Sequence, residues 1–344
     1  MRRAACLIAG AVIALAMAAD ASASADPLTI RLGVVPTPAS LIPEIFGTPD
    51  IAKHAGKSYE LQLTRFQGSP LQIPALAGGE IDIASLGFST LSTAVENARM
   101  SDVRVIADEV QVGVPGYASS LFMVANNSPV QRVEDLKGKI IATNAISGAL
   151  DMIGKAMLMD HGLIDKRDYM TVEIAFPNME SSLLERNVDL AAFIEPFLED
   201  PELHDKARVL FSSADAMGPV GLTFWTARAE FLAAHRAAMV DLLEDYVREL
   251  RWAWDPAHRE QAVTRVAAAT RQSPDLLGRY IFTHKDNYQD LNGRPNLAAI
   301  AANVHAQREL DLIKADLDVT RYADLSLVGE AARRIDAGRV DVKK

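Results

Sequence analysis

Three short stretches of the chain combine residue types able to hold a small molecule. Asn144-Ala145-Ile146-Ser147-Gly148 follows an apolar run and opens a helical pattern. An Asn or Ser there can cap the helix, Gly148 admits a ligand close to the backbone, and the free N–H groups of a helix start favour a negative group. An ordinary N-cap uses the same residues, so both readings stand. Gly87-Phe88-Ser89 offers close approach, an apolar face and a hydroxyl, or is only a strand-to-helix turn. Glu195-Pro196 sets a carboxylate at another strand end, where it can receive an amine or hydroxyl or bond nearby backbone N–H groups.

Other candidates are single residues. Thr37 lies just after the first predicted strand, and Tyr117 and Trp225 flank turn-rich segments where an aromatic ring stacks on a ligand or simply packs. Arg65 is the one cation close to these loops, facing either cleft or solvent. A small oxyanion would therefore rest mainly on helix termini and hydroxyls, with Arg65 as its candidate salt bridge. For catalysis the chain shows no G-x-S-x-G, H-E-x-x-H, Walker or G-x-G-x-x-G pattern. Seven scattered histidines have no partner at metal-ligand spacing, so neither a metal nor a cofactor is expected.

The elements that must position these groups read as α/β. Strands are expected at 28–35, 59–66, 81–86, 103–110, 120–125, 139–143, 171–176, 188–193 and 222–227, alternating with helices as in parallel βαβ units. Helices are expected from Ile42 to His54 and from Asp275 to Thr283 among others. A short pattern is written twice: Ile81-Asp82-Ile83-Ala84 and Val188-Asp189-Leu190-Ala191, 107 residues apart, an offset that also carries Thr37 onto Asn144. Two similar units facing each other make a cleft. Turn formers at Gly113 to Tyr117 and Gly218 to Gly221 mark two crossings, a natural hinge. The expected division is lobe 1 over 28–114 plus 222–344, and lobe 2 over 115–221.

Composition narrows the setting. Arg2 and Arg3, an apolar run over 4–19 and overlapping A-x-A sites over 19–25 read as a secretory signal peptide covering 1–25, too short for a membrane span. The lone Cys6 falls inside it, so the mature chain has neither disulfide nor thiolate chemistry. A formal charge of −10 without Lys/Arg runs makes nucleic acid and anionic membranes poor partners. A monomer is expected.

Val133-Glu134-Asp135-Leu136-Lys137-Gly138-Lys139 to Thr143, the Asn144–Gly148 start, Gly79 to Ala84 and Asp189 to Pro196 resemble the substrate-binding proteins of nitrate/sulfonate/taurine-type ABC importers. That resemblance implies a two-lobe periplasmic-binding-protein type II fold with two hinge crossings. It implies cleft residues Thr37, Gly68, Phe88, Ser89, Asn144, Ser147, Gly148, Asn178 and Glu195, an ABC permease as partner and a periplasmic location. Ile194 stands where many members place Trp, and the missing cysteines set aside the pyrimidine synthases on this fold. The expectation is capture of a small organic anion, a sulfonate or carboxylate. The alternatives are a neutral or cationic heterocycle such as a pyrimidine precursor, a sensory receptor, and an enzyme using Glu195 with a histidine.

Overall fold

Ten strands divide into two sheets of five in the computed structural model, which describes residues 26–314 and 317–341. The expected leader lies outside them. The first sheet runs β2 (Tyr59–Arg65), β1 (Leu28–Val34), β3 (Ile83–Leu86), β10 (Val220–Arg228) and β4 (Val103–Val112). The second runs β7 (Met170–Glu173), β6 (Ile140–Thr143), β8 (Leu190–Phe193), β5 (Leu121–Ala125) and β9 (Ala207–Ser212). The two orders are alike, three parallel strands followed by an antiparallel pair member and an edge. The sheets are therefore mixed: the expected parallel βαβ pairing holds for the first three strands of each, and the last two pairings are antiparallel. β10 returns from the second sheet and enters between β3 and β4 against their direction.

Burial follows position in each sheet. Every residue of β3 (IASL) and β8 (LAAF) is buried, as central strands covered on both faces require. The outer strands are more open: β2 alternates toward solvent, and no residue of β7 is fully buried. β4 is an edge strand that is nonetheless mostly buried, because residues near Tyr288 and Ala323 bridge to its free side. One face of the first sheet packs on helix Arg236–Ala253, whose Met239, Leu243, Tyr246, Val247 and Leu250 form the expected stripe. Helix Ser326–Asp341, not singled out in the sequence, packs beside it.

Local competition explains the shifted boundaries. The helix from Ile42 ends at Phe46, and the chain beyond is captured by Asp245, whose carboxylate accepts from the N–H groups of Lys53 (2.7 Å), His54 (2.8 Å) and Ala55 (3.1 Å). The strand expected through Phe176 stops at Glu173. Phe176 instead starts a helix, with Pro177 in the first turn where its missing N–H costs nothing. The helix expected to reach Thr283 spans only Pro274–Leu277.

The doubled tetrapeptide has one structural meaning in both sheets. Asp82 exchanges backbone contacts with Arg31: its N–H donates to the Arg31 carbonyl (2.8 Å), and its carboxylate accepts from the Arg31 N–H (2.9 Å). Asp189 does the same to Ile140, at 2.8 Å and 3.1 Å. Each carboxylate thus supplies an extra rung between two parallel strands and meets a cation: the Arg31 guanidinium on Asp82 (2.5 Å), the Lys139 ammonium on Asp189 (3.7 Å). The match of Thr37 with Asn144 is displaced. Strand pairing aligns Leu32 with Ile83 and Ile141 with Leu190, so β1 and β6 correspond at an offset two residues longer than that of the Asp residues. Asp82→Ala leaves the part-buried Arg31 N–H without its acceptor and is expected to lower the unfolding free energy by about 1–3 kcal/mol. A urea titration with unchanged slope and lower midpoint checks this; an unchanged midpoint means that solvent replaces the rung.

Candidate functional site

The loops that follow the parallel strands enclose a cavity of about 80 Å³, room for several waters and hence for a small solute. The first sheet contributes Val35, Thr37 to Ser40, Ser69, Val110, Leu222 and Thr223. The second contributes Asn144, Ala145, Gly148, Ala149, Leu150, Phe176, Ile194 and Glu195. A third side comes from Tyr280, Asp286 and Asn287, in the irregular segment after the short helix Pro274–Leu277.

Four of the candidate residues therefore meet here: Thr37, Asn144, Gly148 and Glu195. Thr37 shares a hydrogen bond with the Ser40 hydroxyl (3.1 Å) and accepts from the Ser40 N–H (3.3 Å), holding the turn after β1. Gly148 is the N-cap of helix Ala149–Asp160. The N–H of Ser147 is already taken by the buried Asp151 carboxylate (2.8 Å), which also binds Lys155 (2.8 Å). That helix start carries its own anion, which offsets the field an oxyanion would use.

The remaining candidates lie elsewhere. Arg65 is exposed and paired with Glu44 (2.6 Å), so it is no salt bridge for the cavity. Phe88 and Ser89 are buried in the first turn of helix Phe88–Glu96. Trp225 is core, stacked on Tyr246 with ring centroids 4.4 Å apart. Tyr117 belongs to an aromatic cluster at the first crossing, edge-on to Tyr288 (5.0 Å) and beside His284 (4.7 Å). Asn178 is exposed, and its carbonyl accepts from the Ser181 and Ser182 hydroxyls; Phe176 two residues earlier faces the cavity instead. Ser147 is also exposed, at φ 65°.

Gly68 has a different role from ligand contact. A Cβ there would lie 2.4 Å from the Ala145 Cβ and 3.5 Å from the Asn144 side-chain nitrogen, so the loop after β2 touches the second sheet's loop only because residue 68 has no side chain. Beside it, the Gln67 amide donates to the Asn144 carbonyl (3.1 Å) and to the Glu173 carboxylate (3.1 Å). Gly87 makes a second close approach: its Cβ would meet the Leu222 carbonyl at 2.5 Å and the Ala149 Cβ at 3.2 Å.

Two carboxyl groups line the cavity. Glu195 is 8% exposed, and its Oε2 has no hydrogen-bond partner. Burial, then Glu199 and Asp286, push its carboxyl up to about 8. Asp286 accepts from the N–H groups of Phe282 (2.9 Å) and Asn287 (2.8 Å), yet burial still pushes it up to about 7. The Tyr280 hydroxyl is buried without a partner, its pKa raised first by burial and then by Asp286 and Glu195. Behind the lining, Glu109 accepts from the Ser85 hydroxyl; burial raises it, and the hydroxyls of Ser40, Ser85 and Thr223 partly oppose that. Among the described residues no Lys or Arg lines the cavity.

Sequence reasoning missed Tyr280, Asp286 and Asn287. Their local signal, a polar run of Asp286-Asn287-Tyr288-Gln289-Asp290 after a broken helix, marks a loop but not where it docks. Elsewhere, His54 comes together with Asp241 and Glu244, their ligand atoms within 4.8 Å. Arg334 already pairs with Asp241 (3.0 Å) and Arg248 with Glu244, which occupies those carboxylates with cations.

The family profile described as ABC transporter, phosphonate, periplasmic substrate-binding protein matches residues 58–275, well over half the chain. The chain belongs to this family. Its members are periplasmic components of ABC importers, which implies a small-molecule ligand and membrane permease partners. Solved structures agree in fold. The periplasmic aliphatic sulphonate-binding protein SsuA of Escherichia coli is 20% identical at a TM-score of 0.65, covering 88% of this chain and 99% of that one. SsuA of Xanthomonas axonopodis pv. citri, bound to MOPS, is 18% identical at 0.69, with coverages of 88% and 99%. The periplasmic nitrate-binding protein NrtA of Synechocystis PCC 6803 is 14% identical at 0.68, with 90% and 89%. The two-lobe α/β architecture expected from the sequence is the one these proteins share. Among the described residues no helix is long and apolar enough to cross a membrane.

Two measurements follow from this member's geometry. Gly68→Val wedges the loop contact apart and is expected to weaken ligand binding at least about tenfold by calorimetry, the penalty of a core-like clash of a few kcal/mol. The apo melting temperature should change little, since the clash falls between the halves. Glu195 keeps its proton to about 8 in the fold, against about 4.5 for an ordinary glutamate. Between those values the folded state binds more protons than the unfolded, so stability falls as pH rises through that window. Glu195→Gln should flatten the fall, melting like wild type near about pH 4 and several degrees higher near about pH 8; parallel curves would mean that Glu195 titrates normally.

Proposed function

We propose that this importer component captures its solute in the cavity between the two sheets by closing about the crossings near Tyr117 and Gly221, and hands it to an ABC permease without transforming it. The observation that carries this reading is the cavity lining itself, drawn from loops of both sheets and from the 280–287 segment. Contacts from both sides are made together only when the halves meet, so ligand free energy favours the closed state. The sheet memberships support a division near residues 115 and 222, since β5 to β9 form one sheet and β10, which begins two residues before 222 at Val220, returns to the other.

For the ligand, the cavity favours a neutral or cationic molecule with an apolar body over the sulfonate or carboxylate expected from sequence. Two carboxyl groups line it, the nearby helix start is compensated by Asp151, and Arg65 is engaged by Glu44. Val35, Val110, Leu150, Phe176, Ile194 and Leu222 supply the apolar walls. An oxyanion brought to the same place gives up its hydration and finds no Lys or Arg among the described lining residues to replace it.

Native mass spectrometry of protein purified from periplasm under mild conditions tests the assignment. A single small adduct, released on unfolding and lost in Gly68→Val, is expected. Catalytic conversion of that adduct on prolonged incubation, or a protein that binds neither its co-purified molecules nor the medium's solutes, would sink it.

A further inference from the structure

We infer, on the reading of the cavity as the solute site, that its ligand is a small organic cation, an ammonium or amidinium, held between Glu195 and Asp286. The two carboxyls belong to different parts of the chain, Glu195 at the end of β8 and Asp286 on the 280–287 segment, and both line the same cavity. Glu195 is more than nine-tenths buried and its Oε2 has no partner; the Tyr280 hydroxyl, 1% exposed, has none either. Buried acceptors without donors are costly, and N–H groups of a cation are the donors that satisfy a carboxylate best.

The surrounding charges point the same way. Glu199 and Asp286 both oppose ionisation of Glu195, and Glu195, Glu199 and Asp286 all act on Tyr280. Glu109 stands behind Ser40 and Thr223. The basic residues nearest in sequence, His284 and Lys285 beside Asp286, are exposed to solvent. Without a ligand the carboxyls stay neutral by holding protons; a bound cation provides the missing charge and the protons leave to solvent. A bare metal ion fits less well, because among the described residues the grouping of three metal-ligating side chains within 4.8 Å is His54, Asp241 and Glu244, away from the cavity. The Phe176 ring in the wall suits an organic cation instead.

Asp286 also connects charge to the crossing. Its carboxyl lines the cavity while its carbonyl accepts from the Ala118 N–H (3.0 Å), in the chain that passes from β4 to β5.

The test uses the mature protein with methylguanidinium, acetamidinium and ethylammonium against methanesulfonate and methylphosphonate. Thermal-shift measurements should show stabilisation by at least one cation and by neither anion. Titration calorimetry in two buffers that carry no ammonium group and differ in ionisation enthalpy should show about one proton released per cation, with affinity rising up to about tenfold per pH unit below about pH 7. Glu195→Gln and Asp286→Asn should each weaken the cation about tenfold or more, and the double variant should abolish proton release, with circular dichroism and cooperative melting retained. Preference for an anion, proton release near zero, unchanged affinity in both variants, or no response to any of the cations overturns the inference. An anion captured tightly in the same cavity would do so while leaving the role in solute capture intact.

Discussion

One carboxylate at the foot of each sheet fixes how its central strands pair. Asp82 and Asp189 use both backbone and side chain to hold the neighbouring parallel strand at one residue, Arg31 or Ile140. A slip by a single residue would turn β3 or β8, buried on both faces, against the wrong neighbours. The far ends of the same strands carry Val35 to Ser40, Asn144 to Leu150 and Ile194-Glu195, so a rung at one end sets where the cavity loops emerge at the other. Strands of four residues are short enough for this rigid transfer to hold.

The second constraint is the segment over residues 280–293, a strap along the outer side of β4. Gln111 and Tyr288 exchange backbone hydrogen bonds (2.9 and 3.1 Å), the Asp108 N–H donates to the Gly293 carbonyl (2.8 Å), and the Gln289 amide donates to the Glu109 carbonyl (3.1 Å). These bonds satisfy an edge that would otherwise be open, and they bring Tyr280, Asp286 and Asn287 to the cavity as a by-product of covering it. Asp108, buried at the same place and accepting from Gln111 and Asp290, is itself pushed up to about 7, chiefly by desolvation. Acidic groups held neutral in this way are a stability cost that the two large apolar cores must offset.

Much of this arrangement is readable from the chain, and the reasons for the rest are physical. The α/β pattern, the duplicated Asp, the loop at Asn144 to Gly148 and the carboxylate of Glu195 all depend on local sequence and short-range geometry. Side-chain direction does not: Arg65 turns to Glu44, and Trp225 to Tyr246 on the far face of its sheet, because of partners remote in sequence. The duplication misplaced Thr37 against Asn144 by two residues because the loop between first strand and repeated tetrapeptide differs in length in the two halves. Asp286 was invisible as a site residue for the same kind of reason. Nothing near it in the chain signals that its loop pairs with a strand some 180 residues earlier, as Gln289 does with Glu109.

The bare backbone at Gly68 and Gly87 turns the meeting of the two halves into a mechanical stop. Loop meets loop at a fixed distance, whatever lies between, so the enclosed space is a gauge of set size. In the proposed closure, a solute that fits lets the stop be reached and the Gln67 bridge to Asn144 and Glu173 form. One atom too many holds the halves apart and leaves that bridge unmade. Entry into an open cleft is little affected by such a difference, so discrimination by size is exercised through residence time: the wrong solute leaves sooner. What the permease then receives has been sorted by how long it could stay.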